Sequence, residues 1–267
     1  MVNIKLKQKI DSLPANAKIL DVGGWFKPCS LATHVVDLMP WETRGAKLQL
    51  EPLPDERFTK ETWYQLNFLN PKLELPFADK EFDFSICSHT LEDLESPHYL
   101  IPEILRVSKA GYIEVPSRLH EQTIGVRDRA SSLVGHPHHY WIIDKEENTL
   151  FFYNKSDSLA GSHSFYTIPL QIYEKQVRKA TSNLAVLEFF WDERLDIKFQ
   201  NQKIAELKAR EFRNSLAINL KEVWQDKLIR SGRRFRDGIF KKSQQKTESW
   251  WQEIVTLSQP YSSIKLG

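Results

Sequence analysis

The sequence predicts an α/β fold: a mostly parallel sheet with helices on both faces, followed by a C-terminal helical extension. Three observations carry that prediction. Short apolar, β-branched runs ending in an acid or a glycine recur between residues 18 and 116. Helical or loop crossovers separate them, as parallel strands require. The chain has 267 residues, 41% of them hydrophobic, which suits one α/β domain of roughly 200 residues plus an extension.

The first strand is read at 18–24, an apolar run closed by Gly23-Gly24, and the second at 33–38, ending in Asp37-Leu38. Residues 41–62 are charged and punctuated by proline, and read as loop with one helical piece. Strands follow at 63–69 and 82–88. From Leu91 to Lys109 the apolar positions fit helical spacing, and Gly111 closes that helix before a fifth strand over 112–116. Residues 117–148 are polar and rich in His and Arg. A short strand is expected at 149–153 and an amphipathic helix at 169–181. The runs 185–191 and 195–199 flank Asp192-Glu-Arg194 and read as a hairpin. From about 200 to 258 the pattern is helical.

A 27% share of charged residues within an ordinary globular composition excludes whole-chain disorder. Net charge is +2, too balanced to point globally to nucleic acid. No run of 18 apolar residues exists and the N-terminus lacks a signal-peptide pattern, so neither a transmembrane helix nor secretion is expected. Cys29 and Cys87 stand far apart, outside any CxxC spacing, and a cytoplasmic location is expected.

Ligands of open α/β sheets bind beyond the carboxyl ends of the strands. Asp21, Gly23 and Gly24 follow the first strand, Asp37 ends the second, and Ser88 and His89 end the fourth. Asp37 lies sixteen positions after Asp21, where a carboxylate accepts hydrogen bonds from ribose hydroxyls. A nicotinamide dinucleotide is disfavoured. The G-x-G-x-x-G fingerprint is incomplete, and nine residues between Gly24 and His34 scarcely hold a crossover helix to receive a pyrophosphate. A ribose ligand without phosphate fits better.

The stretch Ile19-Leu-Asp-Val-Gly-Gly24 resembles motif I of class I S-adenosylmethionine-dependent methyltransferases. The segment from Leu75-Pro-Phe-Ala-Asp to Leu91-Glu-Asp-Leu94 is similar to the small-molecule (type 11) branch of that superfamily, and the match continues through 103–116. The resemblance covers about residues 15–118. It implies a Rossmann-like, mostly parallel seven-stranded sheet with an antiparallel C-terminal hairpin strand. It also implies S-adenosylmethionine as cofactor and methyl transfer to an O or N atom of a small molecule or sugar-type metabolite. Residues 1–200 would be the S-adenosylmethionine-binding domain and 201–267 a basic helical extension. By position, Asp21, Gly23, Gly24, Trp25, Asp37, Leu38, Asn67, Phe68 and Ser88 would line the cofactor, Asp37 holding the ribose. Trp25 and Phe26 are candidate aromatic faces for the sulfonium. Motif I lacks its later glycine, the acid near the adenine is Asn67, and the histidine of Leu-Glu-His is Asp93. These departures leave a catalytically degenerate binding or scaffold module as the alternative.

Methyl transfer to oxygen or nitrogen uses a base near neutrality, and His89, His136 and His139 are the candidates. The tract Gly135-His-Pro-His-His-Tyr-Trp141 reads as a metal site, a substrate-facing loop with a base histidine, or a structural tract. It has no partnering cysteine or spaced acid, which ranks metal last, and no metal is assigned. Residues 227–246 carry eight basic residues and one acid, interleaved with Leu228, Ile229, Phe235, Ile239 and Phe240. That segment is either a solvated basic face or a weak contact for an anionic surface or RNA.

Overall fold

The computed structural model describes residues 3–47, 55–129, 131–155, 159, 165–218 and 220–239. The distal part of the basic 227–246 segment and the remainder of the expected helical tail lie outside these residues. As far as described, the chain forms two compact units. Of the described residues, one unit takes those up to Glu114 together with Glu188–Leu195, and the other takes Val115–Leu187 together with those from Asp196 to Ile239.

The first unit opens with α1 (Ile4–Asp11), capped by the Asn3 side chain, which accepts from Lys5 N. Leu6 and Ile10 of α1 join Ile19, Val35, Phe58, Trp63, Phe84, Ile86 and Tyr112 in one buried cluster. The strands are β1 (Ile19–Val22), β2 (His34–Asp37), β3 (Trp63–Gln65), β4 (Phe84–Ser88) and β5 (Ala110–Pro116). Every residue of β1 is buried, acid included, as a strand covered on both faces requires. The pairs β1–β2, β1–β4, β2–β3 and β4–β5 are all parallel. With β8 (Val186–Asp192) the sheet has six strands in the order β3-β2-β1-β4-β5-β8. Order reverses at β1, so the crevice beyond β1 and β4 is the topological switch point.

The predicted helix over 91–109 is shorter. A 3-10 turn covers Leu91–Asp93 and α2 covers Leu100–Val107. Pro97 breaks the run, whereas Pro102 falls in the first turn of α2, where its missing N–H costs nothing. Leu100, Ile101, Ile104 and Val107 form its buried face.

The second unit contains α3 (Arg118–Glu121), β6 (Trp141–Glu146), β7 (Thr149–Asn154), α4 (Leu170–Lys179), β9 (Asp196–Gln200), α5 (Gln202–Ser215) and α6 (Leu220–Ile239). β6 and β7 are an antiparallel pair, and β9 adds to β7 in parallel. Ala205 and Ala209 are fully buried, so α5 approaches the sheet closely and packs with Ile142, Tyr153 and Leu159.

Two expectations are corrected. Among the described residues the sheet that holds the parallel strands has six strands, where seven were expected. The 185–191 and 195–199 runs are strands but not a hairpin: β8 belongs to the six-stranded sheet and β9 to the three-stranded one. Phe189 and Trp191 of β8 are buried, whereas β9 is half-buried to exposed, as an edge strand should be. Among the described residues no helix is long and apolar enough to cross a membrane.

Candidate active site

At the ends of β1 and β2 the chain builds a cradle from a bend and two acids. Gly23 sits at φ +80°, which L side chains rarely adopt. Its N–H donates to Val36 O at 2.8 Å, joining the bend to β2. The Trp25 N–H then donates to Asp37 Oδ2 at 2.9 Å, and the Met39 N–H to Asp37 Oδ1 at 2.7 Å. Asp37 and the glycine bend therefore share one rim. Asp21 turns back under the same loop, accepting from Cys29 N–H at 2.7 Å. Trp25 is fixed by its indole N–H, which donates to Thr43 O at 2.7 Å.

Both acids are buried and have backbone donors, and among the described residues no cation pairs with them. Burial pushes the Asp21 carboxyl up to about 6, the Cys29 N–H offsetting part of it. Burial pushes Asp37 up to about 7, against the Met39 and Trp25 N–H groups and with Asp21 adding to the rise. With the Leu38 N–H also bonded to it, Asp37 accepts from three backbone donors, and a carboxylate offers about four acceptor sites. Gln65 donates to Leu38 O at 3.1 Å. Asn67 accepts from Leu69 N–H at 3.0 Å in a local turn, and Phe68 beside it is buried.

Thr90 closes the inner wall. A Cβ built on Gly23 would lie 1.9 Å from Thr90 Oγ1. The hydroxyl donates to Ser88 O at 3.2 Å or Val22 O at 3.3 Å. The space directly over Gly23 therefore holds a side chain.

The β4–β5 end carries opposite electrostatics. Register pairs Ser88 with Glu114. His89 takes φ +53°, uncommon for a residue with a Cβ, and its N–H donates to Glu114 O at 2.8 Å. The half-exposed ring reaches Glu92 Oε1 at 3.3 Å through Nδ1 and Glu114 Oε1 at 3.5 Å through Nε2. Burial would push this imidazole down, but Glu114 and Glu92 outweigh it and hold it up at about 10. Glu114, which burial alone would raise, is held down at about 2 by His89, by Tyr112 O–H at 2.5 Å and by Ser88 O–H at 3.1 Å. Both carboxylates thus favour the imidazolium form of His89.

His136 and His139 belong to the second unit. His139 is buried, with Nδ1 2.9 Å from Glu121 Oε1, and His136 Nδ1 lies 3.4 Å from the same oxygen. Sequence reasoning missed Thr90, Glu92, Glu114, Glu121 and Lys155. The Ser88–Glu114 pairing follows from aligning β4 and β5, so that part of the signal was present.

The family model described as Methyltransferase domain matches residues 34–113, from β2 through most of β5. That match takes in four of the parallel strands of the first unit but under half of the chain. No curated protein matches the chain. Among solved structures, a SAM dependent methyltransferase from Aquifex aeolicus is 16% identical, with 43% of this chain and 63% of that chain covered, at TM-score 0.32. An S-adenosylmethionine dependent methyltransferase from Mesorhizobium loti is 20% identical over 43% of this chain and 54% of that one, also at 0.32. The chain thus spans between half and two thirds of the length of these structures.

Proposed function

We propose that the first unit binds S-adenosylmethionine and transfers its methyl group to an oxygen or nitrogen of a small molecule or sugar-type metabolite. One observation carries this reading. Asp37, a carboxylate with acceptor capacity to spare, is bonded to the loop leaving the Gly23 bend at the switch point of a parallel sheet. A ribose needs such an acceptor, and an adenosyl group without phosphates needs no helix N-terminus.

In this proposal Asp37 orients the ribose. The backbone of Gly23 and Gly24 lies along the methionine and ribose portion, Asp21 supports that loop, and Leu38, Asn67 and Phe68 flank the adenine. Trp25 stands over the cofactor, Thr90 forms the floor of the cradle, and Ser88 borders the transfer pocket. The bound sulfonium supplies an activated methyl group, so the protein's task is alignment and exclusion of water. His89, charged and clamped, positions an acceptor by hydrogen bonding. The buried thiols Cys29 and Cys87 are free, in keeping with a reducing compartment such as the cytoplasm.

The test is incubation of the purified protein with methyl-labelled S-adenosylmethionine and cell extract, with small molecules and RNA analysed separately. Label in a low-molecular-weight compound is expected. Label in RNA alone would move the acceptor class. A second reading, a degenerate binding module, draws on Thr90 packed over Gly23. It requires that neither labelling nor adenosyl binding be detected.

A further inference from the structure

The second unit gathers histidines around one buried acid. Glu121 ends α3 with a fully buried side chain. Its Oε2 accepts from Lys155 Nζ at 2.7 Å, and the same ammonium donates to His136 O at 2.7 Å. Its Oε1 faces His136 and His139. The His120 and His136 rings stack at 5.1 Å with 13° between their planes, and His136 and His139 at 4.5 Å with 28°. Gly135 makes the approach possible. It lies at φ +57°, and a Cβ there would meet Glu121 O at 2.6 Å.

We propose that His120, Glu121 and His136 bind a divalent transition metal, with zinc the ion of choice. One ligand atom from each of the three lies within 4.8 Å of the other two. Bonds of about 2.0–2.1 Å at tetrahedral angles place ligand atoms about 3.4 Å apart, so closure by at most about 1.4 Å completes the site. His120 Nδ1 is 3.1 Å from Tyr173 O–H, so coordination would use Nε2. Lys155 fixes Oε2 and so presents Oε1 to the imidazoles, and His139 Nδ1 also holds that oxygen, at 2.9 Å. Such outer partners orient ligands. Two imidazoles and one carboxylate suit zinc, cobalt or nickel more than magnesium or calcium.

The chain order hid the site. The acid arrives from α3, fifteen residues before His136, at no spacing a metal motif would use. A metal ligand at His136 replaces the proton-accepting role expected for it from sequence.

The test uses the full-length protein, stripped with a chelator and titrated with zinc by calorimetry and with cobalt by visible absorption. The proposal expects one ion per chain, d–d bands of a low-coordinate cobalt site, and a higher melting temperature with zinc. His120→Gln and His136→Gln should each weaken zinc at least tenfold and together at least a hundredfold, while His98→Gln leaves affinity unchanged. Circular dichroism checks that the variants fold. If they do not, the wild-type stoichiometry and cobalt spectrum decide. No uptake by wild-type protein at millimolar zinc, or undiminished uptake by a folded double variant, overturns the proposal. The S-adenosylmethionine reading is untouched by either result, because none of these residues belongs to its cradle.

Discussion

Two stretches of one sheet rim, beyond β1–β2 and beyond β4–β5, treat their acids in opposite ways. Asp21 and Asp37 are buried with backbone donors and, among the described residues, no paired cation, and burial lifts both towards neutrality. Glu92 and Glu114 hold His89 between them, and Glu114 falls well below the ordinary range. The difference teaches that position at a strand end brings an acid to the crevice, whereas its neighbours set its charge. One stretch is poised to accept hydroxyl hydrogen bonds. The other already contains its own ion pairs and serves as a fixed, charged wall.

The largest effect is expected at the bend. Gly23→Ala adds a Cβ at φ +80° and into Thr90, and should lower stability by about 2–4 kcal/mol in denaturant melts. Thr90→Ala in the same chain should recover part of that loss. If Gly23→Ala is neutral, Thr90 does not close the cradle. Asp37→Ala comes next: affinity for S-adenosylhomocysteine should fall roughly 30-fold or more, the cost of about 2 kcal/mol for one charged hydrogen-bonding partner. Unchanged affinity would remove Asp37 from the site.

The remaining predictions use pH. Asp37 is raised to about 7, so its carboxylate, the better acceptor, gains population as pH rises from 5.5 to 8.5. Affinity of the wild type should climb roughly tenfold over that span, and Asp37→Asn should flatten the climb. The smallest effect concerns His89. A histidine raised to about 10 contributes stability fully present below about 6.5 and lost as pH rises through about 10. Wild-type melting temperature should therefore drop between pH 8 and 10.5, and His89→Gln should start lower and drop less. An identical alkaline slope in both would break the contrast between the two stretches.

Much of the parallel sheet was legible because buried central strands read as apolar runs with abrupt ends. Ile19–Val22 and Phe84–Ser88 are of that kind. β6 was not legible, since Trp141-Ile-Ile is followed at once by Asp-Lys-Glu and preceded by the histidine tract. β8 and β9 were legible as strands but not as partners, because alternation shows that a segment pairs without naming its neighbour. At the site, Asp37 and the glycine bend were visible from their places at strand ends. The carboxylate partners of His89 were not, because Glu114 reaches it only through the register of β4 and β5. Glu121 and Lys155 likewise meet through the fold, thirty-four residues apart.

The most direct measurement is calorimetric titration of the wild-type protein with S-adenosylhomocysteine at pH 8. A saturable one-to-one binding heat is the predicted result. An absence of binding heat at millimolar ligand, from a folded protein, would contradict the adenosyl cradle.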